Sequence, residues 1–115
     1  MNAAQADADS PVFPIGPGPL FSLVSRLVRE DRSFKEFEED VARMQISFVA
    51  VTSFLRFKDD VDIAVVPAPG AGAGAAASSH LAIYSRSRVG YSDLGANAKR
   101  VTSLIEKFAE AASTT

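Results

Sequence analysis

Two runs near the middle of the chain constrain the fold most: QISFVAVTSFLRF at residues 45–57 and VDIAVV at residues 61–66. In the first, Ile46, Phe48, Ala50 and Thr52 fall at alternate positions and share one side of a pleat, while the β-branched and aromatic content disfavours a helix. In the second, Val61, Ile63 and Val65 alternate with Asp62 and Ala64, the pattern of a strand with one wet face. That pattern belongs to an antiparallel sheet, since parallel strands are covered on both faces and read as unbroken apolar runs. The intervening KDD, residues 58–60, is expected to turn the chain, and LAIYS at residues 81–85 supplies a further strand.

A sheet with one apolar face needs a cover, and the flanking sequence offers two amphipathic helices. Leu20, Leu23, Val24, Leu27 and Val28 recur at helical spacing, and Val101, Leu104, Ile105 and Phe108 stand at i, i+3, i+4 and i+7 in a segment read as helical over residues 94–111. The expected class is therefore α+β: a small antiparallel sheet with the N-terminal and C-terminal helices packed on one face. Residues 33–44 read two ways. Ser33 with Glu36 fits a capping box and Phe34, Phe37, Val41 and Met44 fit one helical stripe, so local preference favours a helix; pairing with the sheet would instead draw residues 34–38 into a strand.

The rest divides into an arm, a loop and one domain. Residues 1–19 hold most of the prolines, which fix φ and remove donors, and read as an extended arm ahead of a single domain over residues 20–115. Its Val12, Phe13 and Ile15 are apolar enough to lie on this domain's own flank or on a partner. Residues 67–80 are rich in Gly, Ala and Ser and read as a flexible connection. The glycines there match no phosphate loop, because the third glycine position falls on alanine and no lysine follows. Ala4, Gln5 and Ala6 have the small-x-small form that ends a cleaved export signal, which makes a trimmed precursor one reading of the N-terminus.

Bulk properties exclude several functions. With 115 residues, a net charge of −2 and no cysteine, the chain has no global basic field for nucleic acid, no disulfide framework and no thiolate chemistry. No apolar run is long enough to span a bilayer, so membrane association is expected only peripherally, through partners. The single histidine, His80, sits at the end of the connection without a spaced acidic orienter, and Asp59, Asp60 and Asp62 lack the further ligands that a calcium site requires. No catalytic residue, metal ligand or cofactor is assigned.

The densest chemistry lies in SRSRVGYSDLGANAKR, residues 85–100. It reads first as a strand handed to a helix. Arg88 is placed to pair with Asp59 or Asp60 if the two strands are neighbours; Ser92 or Asp93 would cap the last helix, Gly90 and Gly95 permit backbone that a side chain would obstruct, and Asn97 would reach back from the first turn. The alternative is an anion cradle built on amides 94–97 with Arg88, Lys99 and Arg100, against which Asp93 weighs by occupying the donors.

FLRFKDDVDI followed by SRSRVGYSDLGANAKRV resembles the shared pattern of the family called domain of unknown function 1499, over roughly residues 20–108. Family positions fall on Asp59, Asp60, Ser87, Arg88, Gly90, Ser92, Asp93, Gly95, Asn97 and Arg100. The chain departs from the pattern at Tyr84, where an arginine is usual, at Arg86, where a small residue is usual, and in lacking the Asn-Cys element common in bacterial members. The resemblance implies no reaction. It implies a plastid, thylakoid-associated setting, or alternatively a bacterial envelope.

Taken together, these features point to a non-enzymatic accessory or interaction protein, a small subunit of a larger assembly such as a photosynthetic membrane complex, with Val12, Phe13 and Ile15 as partner-binding residues. The alternative is a small anion or metabolite binder, enzymatic or not, with its site at the last strand-to-helix junction.

Overall fold

The structure is a computed structural model that describes residues 5–51, 58–68, 78–87 and 96–113. The elements run β1 (Gln5–Asp9), α1 (Pro17–Glu30), β2 (Phe34–Asp40), β3 (Gln45–Val51), β4 (Lys58–Pro67), β5 (Ser79–Ser87) and α2 (Ala96–Ser113). The strands form one antiparallel sheet in the order β1-β5-β4-β3-β2. The expected α+β class holds.

Alternation sorts the sheet residues. Ile46, Phe48 and Ala50 of β3, Val61, Ile63 and Val65 of β4, and Leu81 and Ile83 of β5 are buried in one cluster with Leu20, Val24 and Val28 of α1 and Val101, Leu104 and Phe108 of α2. The register rows Ile46–Ile63–Ile83 and Phe48–Val61–Ser85 align these side chains across three strands. Between them lie Ser47, Asp62 and Tyr84, on the other face.

Residues 34–40 are a strand, against the helical preference. The reason is a β-bulge: pairing shifts between Lys35 and Glu38, and Glu36 takes a positive φ of 53°. Two residues of β2, Glu36 and Phe37, therefore oppose one of β3, so that Phe34 and Phe37, three apart, both meet the core. The bulge reproduces in a strand the spacing that reads as a helix. Phe34 lies 4.5 Å, centroid to centroid, from Phe48. Val41 is 68% exposed in the following turn, where the Arg43 amide donates to Asp40 Oδ1 (3.2 Å) and Met44 also adopts a positive φ.

Other boundaries move as well. Residues 58–60 are the first residues of β4, not a turn, and residues 67, 79 and 80 of the expected connection belong to β4 and β5, where Pro67 pairs with Ser79 and Val66 with His80. Residues 69–77 lie outside the described residues. Helix α1 begins at Pro17 rather than Leu20, because prolines in a first turn forgo only donors that would be orphaned anyway; Gly16 precedes it in extended conformation.

The arm is woven into the domain. Residues 5–9 pair with β5, Phe13 exchanges backbone hydrogen bonds with Ser79 (2.7 and 3.2 Å), and the Ser79 hydroxyl donates to the Ile15 carbonyl (2.7 Å). Phe13 is 5% exposed within the core and Ile15 packs against it, whereas Val12 is exposed. Phe13 is thus removed from the partner-binding set, because its side chain is already buried against its own domain.

Candidate functional site

The middle of the sheet's inward face is apolar, and a buried charge stands at one end of it. There β4 places Asp59 in register between Ala50 and Ser87, and the residue is 2% exposed. Arg100, one turn into α2, reaches across to it: its Nη1 donates to Asp59 Oδ2 at 2.7 Å and approaches Ser85 Oγ at 3.4 Å. The Asp59 side chain is 3% exposed and that of Arg100 14%. Bringing both charges out of water costs several kcal/mol apiece, roughly offset by their attraction and by the hydrogen bonds that complete them. Such a pair fixes how α2 sits on the sheet more than it adds stability. It leaves Asp59 engaged by a guanidinium and almost wholly shielded from solvent.

Other site residues are more dispersed. Asp60 faces the opposite side of the sheet, in register with Val49 and Arg86; Ser87 ends β5 opposite Asp59; Asn97 lies in the first turn of α2. Arg88, Gly90, Ser92, Asp93 and Gly95 lie outside the described residues, and so does the pairing expected for Arg88. The partner the structure gives to Asp59 is Arg100, a family-motif position whose role the spacing did not reveal. His80, in β5 and half-buried, takes no side-chain hydrogen bond or ion pair among the described residues. Among those residues no group of three or more His, Asp or Glu side chains could hold a metal ion, and no helix is long and apolar enough to cross a membrane.

A second polar set lies at the corner between the helices and β2. Asp31, the C-cap of α1, accepts from the Ser33 amide (2.9 Å) and hydroxyl (2.6 Å) and faces Lys107 of α2 at 3.5 Å. Partial burial works to raise the Asp31 pKa, but the Ser33 hydroxyl and amide and the Lys107 ammonium outweigh it and hold the carboxyl below its ordinary value. Nearby, Arg29 at the end of α1 bonds Glu39 of β2 and lies 4.6 Å from the centroid of the Phe37 ring.

The matched family is the one described as protein of unknown function (DUF1499), whose profile covers residues 20–108. The chain belongs to the DUF1499 family. Within this DUF1499 domain the Asp59–Arg100 pair lies inside the matched segment, while β1, Phe13 and Ile15 precede it. No curated protein matches the chain.

The outer face of the DUF1499 sheet carries the feature that sequence reading missed. The register row Gln45–Ala64–Ala82–Asp9 crosses β3, β4, β5 and β1. Two alanines at its centre leave a shallow trough of about 710 Å3, walled by Asp62 and Tyr84 and ended by Gln45 and Asp9. The Ser47 hydroxyl donates to Asp62 Oδ1 at 2.6 Å and holds that wall in place. Alanine at two wet positions of neighbouring strands was visible in the sequence, but only the register makes them adjacent.

Proposed function

We propose that this domain is a non-enzymatic accessory module that docks a protein partner through the outer face of its sheet. The observation that carries the reading is the trough over Ala64 and Ala82: a concave surface crossing four strands, with aromatic Tyr84 on its wall. Its charge selects the occupant. Asp9 and Asp62 line it and, among the described residues, no lysine or arginine does, so the complementary partner presents a slender basic segment. Of the arm's apolar residues Val12, Phe13 and Ile15, Val12 is exposed and open to a partner. The assembly suggested by the family resemblance is a photosynthetic membrane complex, with the domain held peripherally through that contact.

The test is site-specific photo-crosslinking in the source cells. A photoreactive residue at Ala82 is expected to give one discrete adduct, which does not form when a cell extract is irradiated at high salt, while the same residue at Thr102 on the exposed side of α2 gives none. Equal labelling from both positions, or none from Ala82, would remove the docking face.

A further inference from the structure

The flank of α2 holds a second hollow, of about 430 Å3, between that helix and the corner where α1 passes into β2. Its floor is apolar, made by Phe34 and Leu104, and its rim is basic. Lys99, Ser103 and Lys107 succeed one another at four-residue steps and so stand in one stripe along the helix, about 6 Å apart.

The charges in this hollow are not equally committed. Arg100, at its inner edge, is balanced by Asp59, and Lys107 faces Asp31. Lys99 is exposed, and neither its ammonium nor the Ser103 hydroxyl takes a side-chain hydrogen bond or ion pair among the described residues. Asp31 is the carboxylate on the rim, and its oxygens already receive Ser33 and Lys107. The rim therefore keeps a net positive charge in a chain whose total is −2.

We infer that this hollow binds a small amphiphilic anion, a phosphate monoester in class, gripped by Lys99, Ser103 and Lys107 with its apolar body on Phe34 and Leu104. The inference is independent of the docking face, which lies on the other side of the sheet. The apolar floor makes the difference: an anion that meets only exposed lysines is screened by salt and held weakly, whereas a body that leaves water on Phe34 and Leu104 adds a contribution salt does not remove. A soluble phosphate ester and an anionic lipid headgroup share this chemistry.

The full chain is titrated with inorganic phosphate and with phenyl phosphate while backbone amide resonances are followed. Phenyl phosphate is expected to bind saturably, shift residues 99–107 and Phe34, and exceed inorganic phosphate in affinity by about tenfold or more. Lys99→Gln should weaken it about fivefold and Ser103→Glu should abolish saturation, both with an unchanged thermal midpoint because the two side chains are exposed. Phosphatidylcholine vesicles containing phosphatidic acid separate the sources. Co-sedimentation reversed by phenyl phosphate upholds the site with a lipid ligand; binding of phenyl phosphate without co-sedimentation upholds it with a soluble one. Equal affinity for the two phosphates, or wild-type affinity in Lys99→Gln, overturns the inference.

Discussion

Asp59 and Arg100, 41 residues apart in sequence, meet at 2.7 Å on the buried side of the sheet and tie β4 to α2. Removing either partner strands a charge in a site built for two. Arg100→Ala and Asp59→Ala should each cost about 3–5 kcal/mol in urea unfolding, with the double variant costing clearly less than their sum. Replacing both by Met and Leu should be neutral or stabilising. Additive losses would show that the two side chains act separately.

The N-terminal strap supplies a second expectation. Phe13→Ala should destabilise by about 3–5 kcal/mol, as truncation of a buried phenylalanine does, whereas Val12→Ala should stay within about 0.5 kcal/mol because Val12 is 57% exposed. Similar small effects at both positions, measured by thermal or urea unfolding, would mean that the strap does not belong to the core.

In β2 the extra residue is Glu36. Deleting it leaves Phe34, Lys35, Phe37 and Glu38 opposite Ala50, Val49, Phe48 and Ser47 in regular alternation, so the variant should keep its fold and lose no more than about 1 kcal/mol. Glu36→Val should be worse than Glu36→Gly by about 1–2 kcal/mol, since a β-branched side chain is strained at a φ of 53°. A deletion variant that fails to fold would contradict the assignment of the bulge.

Asp31 makes stability depend on pH. Its carboxyl titrates lower in the folded chain than in the unfolded one, so across the intervening range the unfolded state binds more protons. The stabilisation is complete above the ordinary carboxylate range, and it is lost as pH falls through the folded value. Asp31→Asn should be less stable than wild type near neutrality, and the two curves should converge in acid. A constant gap between their urea midpoints down to about pH 2 would rule out this origin.

What the sequence made legible follows from which interactions are local. Alternation in residues 61–66 and the stripes beginning at Leu20 and Val101 identified β4 and both helices, because each pattern is imposed by one element meeting the core. Phe34 and Phe37 misled because a bulge and a helical turn both bring residues three apart to one side. The motif pointed to a carboxylate–arginine pair at the strand-to-helix junction, yet Arg100 as the partner of Asp59 depends on how α2 lies over β5, a placement no short-range spacing encodes. The trough was hidden for a similar reason, since Ala64 and Ala82 become neighbours only through the β4–β5 register.

The docking face is tested most directly by filling it. Ala82→Arg places a long cation between Asp62 and Asp9 at a half-exposed position, where it should leave the melting temperature nearly unchanged. Calorimetry of the domain with the partner captured from Ala82 should then show affinity reduced by about 100-fold or more relative to wild type. Unchanged affinity in a folded Ala82→Arg domain would contradict the account.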